Sequence, residues 1–304
     1  MRLIPLASES LGVRSLATFV EAGGVKILID PGVALGPKRY GLPPAKIELE
    51  TLQKMRKKIQ GYARKAEVVT ISHYHYDHHT PFFEGLYESS SETYAREIYE
   101  GKLIFTKHPR ENINFSQRKR AWAFLKNAEP IAKKIEFADG RSFDLGGVTL
   151  EFSPAVPHGS EGSRLGFVVM VLIDDGTRLI HASDIQLLNR EAVEWIIEKN
   201  PDFLITGGPP TYLGKRAEGS WETGIKNLNE IIRETNVDVI LDHHIVRDKN
   251  YPRFFDELEK RPKTLAGFLR VEDRPLEAYR RELHRIERGE KAEVPFSIPG
   301  QGKS

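Results

Sequence analysis

Val68-Val69-Thr70-Ile71-Ser72-His73-Tyr74-His75-Tyr76-Asp77-His78-His79 is the stretch on which the reading of this sequence turns. Its β-branched opening, Glu67–Ile71, reads as a buried strand. That strand runs straight into six residues offering four possible metal ligands, His73, His75, Asp77 and His78. In an extended segment His73, His75 and Asp77 point to one side, because side chains alternate along a strand. They meet at one point only if the backbone turns, and a helix beginning near His78 makes it turn. His79 stands at helical spacing from His75, but no Glu follows His75 as a metalloprotease helix requires. Imidazole and carboxylate together suit zinc, iron or manganese. The chain has no cysteine, so any ligand has to be His, Asp or Glu.

Two four-coordinate metals need about seven or eight ligands, and further candidates follow other β runs. His158 comes after the strand ending at Phe152, inside Pro157-His158-Gly159. Asp184 follows Leu179–His181, and His243 and His244 close a strand ending at Leu241. Loops that leave strands in this way can gather at one edge of a sheet.

Strand and helix patterns alternate along the rest of the chain. Arg14–Val20 and Val25–Ile29 read as strands joined by a Gly23-Gly24 turn, with Asp30-Pro31-Gly32 stopping the second. Ile47–Tyr62, Glu92–Tyr99, Ser116–Lys134, Asn189–Lys199, Trp221–Glu234, Arg253–Lys260 and Pro275–Arg288 read as helical. Lys102–Thr106, Val148–Phe152, Gly166–Ile173, Thr177–His181, Phe203–Thr206 and Val237–Leu241 read as strands. A β-rich first half followed by β-α-β-α predicts a layered α/β protein. The expected organisation is one domain over 1–304, with an insertion at about 80–146 and a C-terminal helical extension at about 252–290.

Hydrophobic residues make up 39% and charged residues 29% of the 304, which is a globular and not a disordered composition. A net charge of +2 excludes wholesale attraction to nucleic acid or membrane, so a polyanion has to be met by a local patch. The absent cysteines exclude disulfides, thiolate nucleophiles and iron–sulfur sites. The longest apolar run, Phe167–Ile173, is far too short to span a bilayer. Too little precedes Ser8–Ser10 for a secretory signal. The expectation is a cytoplasmic protein with no membrane partner.

Taken in order, His73-x-His75-x-Asp77-His78, His158, Asp184 and His243 resemble the signature of the metallo-β-lactamase superfamily. More loosely, the chain resembles an archaeal family of predicted metal-dependent hydrolases within it. The resemblance covers roughly residues 10–250, but its specific content is about seven residues. It implies an αββα sandwich, a mixed and largely antiparallel pair of sheets carrying a helical, basic insertion. It implies two divalent metal ions, zinc first and manganese or iron as alternatives. His73, His75 and His158 then hold one metal, Asp77, His78 and His243 the second, and Asp184 bridges both. His244 competes with His243, which comes first off its strand. Asp30 fits a turn residue that accepts a ligand imidazole N–H, and His181 either a proton shuttle or a buried, hydrogen-bonded His. The implied reaction is hydrolysis by a metal-bridging hydroxide, with Asp77 and Asp184 as its catalytic carboxylates.

The fold alone does not choose a substrate. Residues 101–140 carry nine Lys and Arg against four acids, a local charge of +5. Arg118, Lys119 and Arg120, beside Trp122 and Phe124, can hold phosphates and stack bases; the alternative is a solvated helix face with core aromatics. Gly207-Gly208-Pro209-Pro210 can let backbone approach a substrate near Tyr212, Lys215 and Arg216. The expected substrate is a phosphoester, small-molecule or nucleic-acid, in the manner of a phosphodiesterase or nuclease. A lactone or thioester is the alternative. A remoter one is a non-hydrolytic di-iron redox or binding protein, against which stands His75, where di-iron proteins of this fold carry an acid. The long domain of the beta-CASP nucleases is missing between Asp184 and His243.

Overall fold

Gly23 and Gly24, both at positive φ, close the hairpin of β2 (Thr18–Ala22) and β3 (Val25–Ile29), and from it the first sheet grows in both directions. The computed structural model describes residues 1–298. β1 (Arg2–Pro5) pairs antiparallel with β2, while β4 (Val68–Ile71), β5 (Leu103–Thr106) and β6 (Lys134–Phe137) follow β3 in parallel register. Residues 80–146 therefore supply two strands to this sheet.

The second sheet begins with β7 (Ser142–Asp144) and β8 (Thr149–Phe152). A short hairpin of β9 (Val156–Pro157) and β10 (Phe167–Val168) intervenes. The sheet then continues through β11 (Val171–Asp174), β12 (Arg178–Ser183), β13 (Phe203–Thr206) and β14 (Asp238–Leu241). Its β7 side is antiparallel and its β12–β13–β14 side parallel.

Alternation of apolar side chains gives each sheet two greasy faces. Val20, Ile27 and Phe105 of one sheet meet Leu150, Ile173 and Ile205 of the other in a shared core. On the outer face of the first sheet lie α1 (Lys46–Ala63), α2 (Glu92–Tyr99) and α3 (Phe115–Ala128). On the outer face of the second lie α4 (Arg190–Lys199), α5 (Ser220–Thr235) and α6 (Tyr251–Asp256). The architecture is the αββα sandwich. α7 (Leu265–Phe268) follows β14, and α8 (Arg280–Glu287) ends the described helices. Paired guanidinium–carboxylate contacts, Arg14 with Glu277 and Arg280 with Glu48, fasten the C-terminal segment to the first half.

Local differences from the sequence pattern have physical causes. The expected strand Arg14–Val20 starts only at Thr18, because Arg14 pairs instead with Ala34 and the Ser15 hydroxyl donates to the Gly32 carbonyl. The run Gly166–Ile173 breaks between β10 and β11, and there the Val169 N–H donates to the Ser72 carbonyl, at the start of the loop leaving β4. The Pro275–Arg288 helix splits into a 3-10 turn, Leu276–Tyr279, and α8. Arg253–Lys260 is helical only as α6. No helix among the described residues is long and apolar enough to cross a membrane.

Candidate metal centre

The loop leaving β4 is held open by a carboxylate from the neighbouring strand. Asp30, directly after β3, accepts from the Ser72 N–H at 2.8 Å and the Ser72 hydroxyl at 2.6 Å. It also lies 2.9 Å from His78 Nδ1 and accepts from the Ser183 hydroxyl at 3.0 Å. Gly32 explains the rest of the Asp30-Pro31-Gly32 turn: a Cβ there would lie 2.4 Å from the backbone nitrogens of His78 and His79. Only glycine lets the two loops approach so closely. The His78 and His79 N–H groups bond back to the His75 carbonyl, so the chain turns within the motif and folds its ligands inward.

Three overlapping side-chain groups result, each with candidate ligand atoms within 4.8 Å of one another: two separate ones, His73, His75, His158 and Asp184, and Asp77, His78 and His243, and a third, Asp184, His243 and His244, that joins them. Asp184 Oδ2 lies 3.0 Å from His158 Nε2, 3.2 Å from His78 Nε2 and 3.6 Å from His73 Nε2. Its Oδ1 lies 3.4 Å from His243 Nε2, so one carboxylate touches both groups. His243 and His244 both reach Asp184, but only His243 joins Asp77 and His78. Asp30 bonds a ligand-candidate imidazole and stands outside both groups. His181 is buried apart from them, with Nε2 3.1 Å from the Leu16 carbonyl.

The electrostatics ask for added positive charge. Burial pushes His73 well below its ordinary pKa, reinforced by the neighbouring His78 and His75, and it takes His75 down to about 3. Burial would also lower His78 and His243, but the carboxylates outweigh it. Asp184 and Asp30 hold His78 well above the usual imidazole range, and Glu9 with Asp184 lifts His243 to about 9. Burial would raise Asp77 and Asp184, yet His78 and His243 keep both ionised. In the metal-free protein, protons on His78 and His243 thus supply the positive charge the buried carboxylates require.

Asp184 Oδ1, His158 Nε2 and His244 Nδ1 are buried without a partner in hydrogen-bond geometry. Such groups call for an ion or water. The donor set, imidazole and carboxylate with no thiolate, fits borderline divalent cations. The backbone carries strain here as well. Asp30, Ser183 and His243, all non-glycine, adopt left-handed φ of 45°, 49° and 57°, a conformation that clusters at functional sites.

Several participants carry no sequence signal. Glu9 Oε2 lies 2.7 Å from His243 Nδ1, and its other oxygen accepts from Arg247 Nε at 2.5 Å. Arg247 reaches to 3.6 Å from Asp77 and 3.3 Å from the Tyr212 hydroxyl. Asp242, pushed up to about 6 by burial, receives the His243 N–H and the Ser10 N–H and hydroxyl. Pairs separated by more than 230 residues have no local pattern by which they could be found.

A cleft of about 780 Å³ opens above the two groups. Tyr212 and Arg216 line one part of its wall, and Arg120, with its guanidinium 4.4 Å above the Tyr76 ring, lines another. Arg118 and Lys119 do not line this cleft; they face a separate groove. Along a helix each residue turns about 100°, so Arg118 and Arg120 point to nearly opposite sides.

The chain belongs to the beta-lactamase superfamily: residues 26–213 match the model of the beta-lactamase superfamily domain. Within it, this is one of the UPF0282 proteins. It is 89% identical to the UPF0282 protein of Thermococcus gammatolerans, over 98% of this chain and all of that one. It is 48% identical to the UPF0282 protein of Methanocaldococcus jannaschii, over 93% of this chain and 96% of that one. Among solved structures it is similar to an isothiocyanate hydrolase from Delia radicum gut bacteria. That likeness is 14% in sequence, with a TM-score of 0.49, over 90% of this chain and 94% of that chain.

Proposed function

We propose that the protein is a metal-dependent hydrolase that holds two divalent cations, zinc first, and acts on phosphoesters. The reading rests on one observation: the cleft above the ligand cluster presents two guanidinium groups, Arg120 and Arg216, that pair with no carboxylate among the described residues. The other two arginines of the cleft are engaged, Arg14 by Glu277 and Arg247 by Glu9. Guanidinium groups without a carboxylate partner match phosphate oxygens in geometry and charge.

Bound at the two groups, divalent cations supply an ionised water at neutral pH and Lewis acidity toward a substrate oxygen. The residues of the chain do the rest. Asp184, touching both groups, sets the spacing between them. Asp77 is kept ionised by His78, His243 and Arg247 and orients the attacking side. Asp30 and Glu9 fix the ring orientation of His78 and His243, as carboxylates do for ligating imidazoles. Arg120 and Arg216 orient the phosphoryl group.

The test is metal analysis of protein purified without added metal, with turnover measured on chromogenic phosphodiesters, lactones and thioesters. About two equivalents of metal and chelator-sensitive phosphodiester turnover are expected. Turnover confined to lactones or thioesters overturns the substrate class, and full activity in chelator overturns the metal.

A further inference from the structure

Helix α3 presents a second face that the fold leaves uncovered. Phe115, Arg118, Lys119, Trp122 and Lys126 recur at i, i+3, i+4, i+7 and i+11, a single stripe. Phe115 is 82% and Trp122 64% exposed. The core side of the helix is already filled by Gln117, Ala121, Phe124 and Ala128, so these rings are not displaced core residues. With Arg110 and Phe137 they border a groove of about 810 Å³ that shares no lining residue with the metal cleft. Ion pairs in this segment join Lys107 to Asp139 and Lys134 to Glu136. Arg110, Arg118, Lys119 and Lys126 have none among the described residues.

Three kinds of occupant differ in how they fit this pattern. A second copy docked about a two-fold axis brings the same patch against itself, setting Arg118 and Lys119 against their own counterparts. A membrane surface needs a broad apolar face, whereas here a cation stands beside every ring. A single-stranded polyanion with flat bases meets both features at once, since aromatic rings stack bases of any sequence and cations neutralise phosphates. Phe115 and Trp122 lie two turns apart, about 10.5 Å along the axis, close to three stacked base steps of about 3.4 Å.

We infer that this face of α3 binds single-stranded nucleic acid, with bases on Phe115 and Trp122 and phosphates on Arg110, Arg118 and Lys119. Arg120, on nearly the opposite side of the same helix from Arg118, lines the metal cleft instead. The binding does not rest on the phosphoester reading.

Fluorescence anisotropy of fluorescein-labelled twelve-nucleotide phosphorothioate DNA and RNA, titrated with the full chain as purified, tests it. The expected result is single-strand binding that weakens with salt at a log–log slope near −2, about 0.7 for each of three cations. The pair Arg118→Glu/Lys119→Glu should weaken binding at least about tenfold and flatten that slope. Phe115→Ala/Trp122→Ala should weaken it at least about thirtyfold with the slope kept. No wild-type binding at low salt, or variants that bind like wild type, overturns the inference. A wild-type dimer that Trp122→Ala dissociates, or binding to anionic phospholipid vesicles in place of oligonucleotides, also overturns it. Turnover of a small chromogenic phosphodiester on the same preparation reads the catalytic proposal separately: turnover without oligonucleotide binding removes only this inference.

Discussion

The floor of the cleft and the outer face of α3 obey opposite geometric rules. At the floor, side chains from positions 73 to 244 converge within a few ångströms; on α3, the neighbours Arg118, Lys119 and Arg120 diverge into two separate depressions. Strands of a sheet end along one edge, so loops far apart in sequence deliver their side chains to one place. A helix turns by about 100° per residue and scatters adjacent side chains around its axis. The energetics differ as well. Buried charges are costly unless paired or bound to metal, so the floor is tied together by Asp30, Glu9, Arg247 and Asp242. The α3 face is solvated and needs no such support.

The largest effect should come from the one carboxylate that touches both groups. Asp184→Asn keeps the side-chain shape and removes the charge. It should take hydrolysis to background and lower bound metal from about two equivalents to about one, read by elemental analysis beside turnover. Unchanged metal content and turnover would break the idea that convergence at the floor is what matters.

Next comes support from outside the ligand groups. Glu9→Gln should weaken metal binding about 10–100-fold, measured by chelator competition, with circular dichroism unchanged. Wild-type affinity would mean that Glu9 only packs. Protons sharpen the same point. Since His78 and His243 are held above their ordinary range, both carry protons at neutral pH in the metal-free protein. A cation has to displace them. Metal affinity should therefore fall as pH falls, by about tenfold per pH unit for each proton released, and His243's share should level off above a pH of about 9. Calorimetry in buffers of different ionisation enthalpy counts the protons; no release near neutrality would contradict the charge balance at the floor.

How much of this was legible beforehand follows from the same geometry. The strand into His73 and the later His158, Asp184 and His243 could be read because each follows a local β pattern and their order carries a family resemblance. Glu9 could not: it sits in a 3-10 turn in no motif, 234 positions from its partner His243. The basic cluster 118–120 was legible as composition but not as placement, because grouping three helical neighbours as one site ignores the turn between them. Within residues 80–146 the strand Lys102–Thr106 was legible and is β5, whereas β6, four residues long and starting where the pattern of Ser116–Lys134 reads as helical, is too short to show alternation.

A smaller effect is expected at the cleft wall. Arg120→Glu should raise KM for a small phosphodiester about tenfold, equivalent to about 1.4 kcal/mol, as a charge-assisted contact is lost, with kcat changed less. An unaltered KM would remove Arg120 from substrate orientation and leave α3 without a role in the cleft.

The smallest effect discriminates between the two sides of α3 themselves. Phe124 is buried beside Tyr74, Tyr99 and His79, while Trp122, two positions earlier, is mostly exposed with Lys126 above its ring. Phe124→Ala should cost about 3–5 kcal/mol of stability. Trp122→Ala should stay within about 0.5 kcal/mol, as surface substitutions do. Urea unfolding of both variants measures the difference. If Trp122→Ala costs as much as Phe124→Ala, the ring is structural, α3 has no free face, and its aromatic stripe needs no ligand to explain it.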